Sequence, residues 1–470
     1  MRPRWLVRLE HTLSIFITLF FLLAYVLCVG LIFTKQRRYL LFIAIALLSV
    51  NDIIFVPLGD IVDPGALMIA KAWKEFFILG LLLLAMIRSA QGGLMSVSKE
   101  AMQTTVAIAV LSIFGIAMGL MRSGLGESVT EWRHYFTFIL LSYLIASSGI
   151  ATRVKPKHIT NFILTIASGL AVIAIIENWT FSGDYTKLWY YEFVAQAKEA
   201  AQTAERLLQY QFVRGDELRS SASFVSAIEY SLFNAFALTY AVMSFWLGRT
   251  FSSKLVYAIV SGLLAWGELV AHVRMGWIAC ALSIFVAGHV KLFGTLSFRR
   301  LSIAPFLMLI ATLILIVFNK DALDASSVGR LAQYASVPGD FRLQGYGLGA
   351  ISNDGPTYKD SLYISVLMVF GVASIGYFWL LFSPLTRLLQ AARVAPDNVA
   401  FTEPGTYAFF LSTIGFYVAQ VYVFGLHYSV GITHLYFIQM FTLILTFRLR
   451  VSARIAPATH WRSNARMQPQ

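Results

Sequence analysis

TLSIFITLFFLLAYVLCVGLIF, residues 12–33, runs for 22 residues without a charged side chain. As a helix it would rise about 33 Å, enough to cross the ~30 Å hydrocarbon core of a bilayer. It is too long for the core of a cleavable leader, so it reads as a spanning helix and no leader is expected. Comparable runs recur along the chain, at 39–58, 75–92, 102–121, 135–151, 159–178, 225–247, 255–271, 274–290, 302–319, 361–383, 407–426 and 430–448. The expected fold class is therefore all-α: a polytopic transmembrane helical bundle of about 12–13 spans.

Composition agrees. Hydrophobic residues make up 58% of the 470 and charged residues 13%, with a mean hydropathy of +0.70. Soluble domains carry roughly 45–50% apolar and about 25% charged residues, so an ordinary soluble globule, a disordered chain, a collagen and a disulfide scaffold are excluded. The formal charge of +13 would suggest nucleic acid in a soluble protein. Here it reads as loop charge that sets membrane topology, and no nucleic-acid partner is expected. Cys28 and Cys280 both lie inside apolar runs and imply neither a disulfide nor a metal site.

The segments around Lys35, Arg37 and Arg38, Arg153 to Lys157, Arg249 and Lys254, Lys291 to Arg300, and Arg387 to Arg393 are basic, as is the tail from Arg448. By the positive-inside rule they face the cytoplasm, and the loops of mixed sign, with Asp60, Asp63, Glu127 and Glu131, face outward. Thirteen spans and a cytoplasmic tail put the N-terminus outside, against the charge of Arg2, Arg4 and Arg8. Either an early segment does not cross or the N-terminus departs from the rule. The organisation reads as N-terminal helices to 178, an outer loop 179–224 with a short surface helix near 192–208, central helices 225–319, a long turn-rich outer loop 320–360, C-terminal helices 361–448 and a basic cytoplasmic tail 449–470.

Four outer-side arginines do not follow from topology: Arg219, Arg274, Arg330 and Arg342. Guanidinium groups keep their charge and offer fixed bidentate donors to phosphate oxygens. Arg219, Arg274 and Arg330 at the outer mouth of a bundle could form a phosphate or diphosphate site. Arg274 also reads as a snorkelling residue at a helix end, and Arg219 and Arg330 as solvated loop charges. Asp360 opens an apolar span and reads either as an N-cap or as a base facing the outer cavity. His272, Tyr363 and Arg342 are secondary candidates. Glu268 and His272 could share a helix face, and Glu229 and Asn234 read as hydrogen-bonding a neighbouring helix. There is no nucleotide-binding loop, dinucleotide fingerprint, zinc-protease motif or nucleophile elbow, and no metal ligand set.

Taken in order, these elements resemble the bacterial O-antigen polymerase and O-antigen ligase superfamily, in its Wzy-type polymerase branch. Arg219-Ser220-Ser221-Ala222-Ser223-Phe224 resembles an element that usually reads Arg, a small residue, Gly, Thr, Phe. His272-Val273-Arg274-Met275-Gly276 resembles a Ser-Arg-x-small element after a very short outer turn, with Val273 in place of Ser. Arg330 and then Gly345-Tyr346-Gly347-Leu348-Gly349 are similar to the long-loop signature. Asp360-Ser361-Leu362-Tyr363, then Phe370-Gly371 and Gly376, is similar to the closing element, with Asp360 where ligases carry His. The likeness covers residues 219–383.

The resemblance implies a metal- and cofactor-independent membrane glycosyltransferase of GT-C-type architecture in the bacterial cytoplasmic membrane, its site facing the periplasm. It would polymerise polyprenyl-diphosphate-linked repeats into an O-antigen or exopolysaccharide chain. Arg219, Arg274 and Arg330 would hold the leaving diphosphate, with Arg274 and Asp360 catalytic and Asp360 taking or orienting the acceptor's proton. The implied partners are undecaprenyl-diphosphate-linked donor and acceptor glycans and membrane lipid, with a chain-length regulator and a flippase in the same assembly. Other readings are a ligase acting on lipid A core or protein, a lipid-linked oligosaccharide flippase or other transporter, and a non-catalytic scaffold.

Overall fold

Lipid offers no hydrogen bond to a peptide group, so each apolar run must satisfy its own backbone as a helix. The computed structural model describes residues 4–58, 64–90, 99–148, 150, 154–180, 213–214, 217–224, 226–293, 310, 325–349, 361–394, 403–426, 439–446 and 448–450. In order, the helices are α1 (Arg4–Ile32), α2 (Tyr39–Leu58), α3 (Pro64–Lys71), α4 (Trp73–Ala90), α5 (Lys99–Leu120), α6 (Leu125–Ser147) and α7 (Pro156–Thr180). They continue with α8 (Ala227–Leu247), α9 (Phe251–Ala271), α10 (Arg274–Phe293), α11 (Ala325–Asp340), α12 (Leu362–Phe370), α13 (Ser374–Val394) and α14 (Pro404–Leu426). One 3-10 turn, Gly371–Ala373, joins α12 to α13. A two-residue ladder, β1 (Val213–Arg214) against β2 (Glu217–Leu218), precedes Arg219.

Among the described residues, eight helical stretches are long and apolar enough to cross a membrane: Thr12–Ile32, Gln103–Leu120, Pro156–Trp179, Ala227–Leu247, Phe251–Ala271, Arg274–Phe293, Leu362–Ala392 and Pro404–Gly425. The chain is an all-helical, multi-pass membrane protein. The last of these stretches is wholly buried, whereas only 11% of the first is. So α14 is the axis, with α8 and α10 against it, and α1 is peripheral.

Contacts fix the direction of the helices. Ser231 on α8 meets Gly276 on α10, and Trp246 meets Gly288 and Lys291, so α8 and α10 run the same way. Tyr240 lies by Gly405 and Phe236 by Phe416, so α14 runs against both. Tyr230 lies by Gly267 and Tyr240 by Tyr257, so α9 also opposes α8. Tyr417 Oη donates to the Leu381 carbonyl, and Leu111 meets Gly376 while Thr104 accepts from Arg387. These contacts set α13 against α14 and α5. One end of the bundle thus collects Lys157, Lys254, Lys291 and Arg387. The opposite end, called the mouth here, collects the α5–α6 and α9–α10 turns and the start of α12.

Several expectations change. Glu127 and Glu131 lie in the first turns of α6, not in a loop. Gly124, at φ +85, starts that helix, and Glu127 complements its positive N-terminal dipole. The loop 320–360 is not simply turn-rich, because α11 occupies 325–340. Pro338 costs α11 only the bond its N–H would have made one turn from the end. The span read at 361–383 is interrupted at Gly371. Tyr25 meets Phe76, and Val29 and Ile32 meet Gly80, so α1 runs parallel to α4. Phe42 meets Phe162 near the start of α7 and the Ser49 carbonyl meets Ser223 at the mouth, so α2 runs toward the mouth, and α1, one short turn before it, ends at the opposite end. Neither α2 nor α4 is among the eight stretches long and apolar enough to cross, so both possibilities for the N-terminus stand. At 29 residues, α1 rises about 43 Å and reaches past a ~30 Å hydrocarbon core. The expected helix near 192–208 and, except for residue 310, the span 302–319 lie outside the described residues, as do parts of the span 430–448.

Candidate functional site

The Arg219 segment is held from beneath. Ser220 N–H donates to the Val270 carbonyl at the end of α9, 3.1 Å. Ser221 and Ala222 N–H both donate to Glu177 Oε2 near the end of α7, at 3.1 and 3.0 Å. Ser223 Oγ donates to the Ser49 carbonyl of α2, 2.6 Å. Only small residues allow this path, since Ser220, Ser221 and Ser223 are all buried. Ala222 takes φ +51, a left-handed conformation natural to glycine. Phe224 then packs on Tyr230 and Phe233, and Ser226 caps α8 by accepting from Ile228 N–H. Arg219 itself is half-buried.

The turn into α10 is equally constrained. His272 caps α9 at φ 50, ψ 35, which stops the helix in one residue. It is half-buried. Arg274 is the first residue of α10 and is exposed. A cation at a helix N-terminus opposes the dipole of its own helix, whereas an anion bound there would be favoured by both. Gly276 lies against Ser231 Oγ and Glu268 Oε1 so closely that any Cβ would collide with them. Glu268 is fully buried. It accepts from Ser231 Oγ through Oε1 and from Asn234 Nδ2 through Oε2, the latter at 2.9 Å. Asn234 Nδ2 also reaches the Leu264 carbonyl at 2.8 Å, so its expected role between helices holds.

Arg219 and Arg274 are therefore joined through one hydrogen bond and one short turn. The α11 helix that carries Arg330, and Ser361, approach the same end along α14. Gly415 on α14 is pressed against the Ser283 carbonyl of α10. Because the two helices are antiparallel, Arg274 and Phe424 lie equally far from that contact, toward the mouth. There Ser361 Oγ reaches the Phe424 carbonyl at 3.5 Å, and Tyr334 Oη donates to the Gly425 carbonyl and lies 3.0 Å from Ser361 Oγ. Arg330 is one turn before Tyr334 on α11, and Asp360 directly precedes Ser361. The side chain of Arg330 and all of Asp360 lie outside the described residues.

The cap of α12 is Ser361, whose Oγ accepts from Ile364 N–H at 3.4 Å, so Asp360 is not that cap. Tyr363 donates to the Val421 carbonyl and ties α12 to α14. Arg342 and the turn after it belong to another part of the mouth. Tyr346 and Gly347 N–H donate to the Met368 and Val369 carbonyls, and Leu348 N–H to that of Gly115, at 2.8, 3.0 and 2.9 Å. Gly349 N–H is accepted by Glu131 on α6. This insertion lies on the α5–α6 side, away from the Glu177–Glu268 floor.

Sequence reasoning missed the part played by Glu177 and underrated Glu268. A signal existed: carboxylates inside apolar runs are costly and call for partners. Those partners are remote in sequence, so none could be assigned. The buried Oγ atoms of Ser220 and Ser221, Tyr230 Oη and Asn234 Oδ1 have no hydrogen-bond partner among the described residues. The mouth thus combines guanidinium groups with a polar floor, chemistry suited to an oxyanion and its hydroxylated substituents. No protein-family model matches the chain, and a search of curated proteins finds no match.

Proposed function

We propose that the protein is a membrane glycosyltransferase that moves a glycan from a polyprenyl diphosphate to a hydroxyl of another lipid-linked repeat, building an O-antigen or exopolysaccharide chain outside the cytoplasmic membrane. The observation that carries the reading is the Ser220-to-Val270 hydrogen bond, which ties the Arg219 segment to the helix end just before Arg274. The leaving group is a diphosphate. Its developing charge needs preorganised cations in a site partly closed to water. Arg219, Arg274 and Arg330 would supply them, and Asp360, released from capping by Ser361, would accept the acceptor hydroxyl's proton. A GT-C-type architecture and a periplasm-facing site belong to the same proposal.

The test is replacement of Arg219 or Arg274 by Lys in a transfer assay with lipid-linked repeats. A bidentate phosphate contact does not survive the exchange, so transfer should fall by about 100-fold, the scale of losing one oxyanion donor. Retained activity in both variants would overturn the reading. Cells lacking the protein should accumulate single lipid-linked repeats and no long polymer. Full-length but unattached polymer would instead identify a ligase.

A flippase is the second reading, and one observation favours it: Glu268 is a fully buried carboxylate within a membrane-spanning helix. Repeats accumulating on the cytoplasmic leaflet would select it.

A further inference from the structure

Arg122 follows the end of α5 and Arg342 follows the end of α11, far apart in sequence, yet both reach one aromatic ring. The guanidinium carbon of Arg122 is 5.1 Å from the centre of the Tyr346 ring, and that of Arg342 is 4.6 Å away. These distances hold the two cations within ~10 Å of each other, about one screening length at physiological salt. Both arginines are exposed, and neither forms an ion pair with a carboxylate among the described residues. Glu131, which also reaches this turn, is engaged by Gly349 N–H.

The ring between them is immobilised. Tyr346 Oη donates to the Asp340 carbonyl at 2.8 Å, and Arg122 Nη1 donates to the Tyr346 carbonyl at 3.3 Å. The flanking N–H groups are tied to α12 and α5, and Gly345 and Gly347, at φ +73 and +83, permit that path. A Cβ at Gly347 would run into the backbone at Gly119. Two like charges are thus brought together on a rigid platform, and their mutual repulsion is relieved when an anion bridges them. The C-terminal dipoles of α5 and α11 account for one cation at each helix end, but not for the meeting of both on one ring.

We propose that Arg122, Arg342 and Tyr346 form a second anion site at the mouth, separate from Arg219 and Arg274, that takes a phosphate or diphosphate group. Resting on the polymerase reading, its occupant is the headgroup of the acceptor lipid, since that reaction brings two lipid diphosphates to one protein. The donor would be held over the Glu177–Glu268 floor and the acceptor on the α5–α6 side, with α12 between.

The test titrates the purified full-length protein with inorganic pyrophosphate by calorimetry. The wild type should bind two equivalents. Arg122→Lys combined with Arg342→Lys should weaken one of them by about tenfold or more, the size of a lost charge-assisted contact, and leave the other. Arg342→Lys alone should act in the same direction, and it removes no hydrogen bond among the described residues, so misfolding cannot account for its effect. Unchanged affinity and stoichiometry in both variants would overturn the proposal. Arg274→Lys, titrated in parallel, tests the donor site on its own: if it changes nothing while Arg342→Lys removes an equivalent, this site stands and the polymerase reading falls. Repeating the titration with polyprenyl diphosphate in neutral phosphatidylcholine nanodiscs separates a lipid headgroup, which would bind with the same sensitivity to Arg342→Lys, from a soluble phosphate, which alone would do so.

Discussion

Ala222 holds a left-handed backbone at φ +51, which costs a residue with a Cβ about 1–2 kcal/mol. Ala222→Gly should therefore raise stability, by about 0.5–1 kcal/mol once the larger entropy loss of glycine is deducted. Thermal unfolding in detergent reads this, and a lower melting temperature would contradict the account of the Arg219 segment. Gly276 presents the opposite case. Its missing Cβ is the space occupied by Ser231 Oγ and Glu268 Oε1, so Gly276→Ala should cost about 1–3 kcal/mol, as overpacking does. At Glu177 the distinction is chemical. Glu177→Leu orphans the N–H groups of Ser221 and Ala222, each worth about 1–3 kcal/mol when buried without a partner. Glu177→Gln keeps an acceptor oxygen and should fall nearer the wild type. Equal losses in the two variants would mean that the carboxylate's charge, not its hydrogen bonds, holds the segment.

At the scale of elements, what was legible in the sequence is what depends on one dimension. An apolar run long enough to cross lipid must be a helix, so α1, α5 and α7 to α10 could be read from local composition alone. The candidate site was legible only as a short roster of arginines that topology left over, of which Arg219 and Arg274 come to one end. What could not be read is what remote contacts decide. α11 is hidden behind Ser326, Ser327, Pro338 and Gly339, and its register is set by Tyr334 meeting Gly425 and Ser361. Nothing in its local sequence marks Arg122, because the ring it meets, Tyr346, is remote in the chain. The break between α12 and α13 is of the same kind. Gly371 has φ +54, and a Cβ there would strike the Leu343 carbonyl that accepts from Val372 N–H. Gly371→Ala should release the Gly345–Gly349 turn from α12. Trypsin would then cut after the exposed Arg342 faster in native protein than it does in the wild type, and an unchanged cleavage rate would detach the turn from that contact.

For the molecule as a whole, helix direction gathers four of the basic residues read from loop charge, Lys157, Lys254, Lys291 and Arg387, at one end of the bundle. The positive-inside rule would make the end that gathers Lys157, Lys254, Lys291 and Arg387 the cytoplasmic one and put the mouth outside, as the proposed function requires. The start of α1 at Arg4 would then lie on the outer side despite its charge. The conflict is tolerable on physical grounds, because orientation follows the sum of many basic segments, and a peripheral helix longer than the bilayer core can keep its charged end in water. The arrangement predicts a labelling pattern. In a Cys28→Ser, Cys280→Ser background, Arg4→Cys and Ser123→Cys should both react with a membrane-impermeant maleimide in intact spheroplasts, whereas Thr250→Cys should react only after permeabilisation. Reaction of Arg4→Cys only after permeabilisation would reverse α1 relative to α4 and restore the charge rule at the N-terminus. If Ser123→Cys were protected and Thr250→Cys open, the mouth would face the cytoplasm, and chemistry on exported lipid-linked glycans would be ruled out with it.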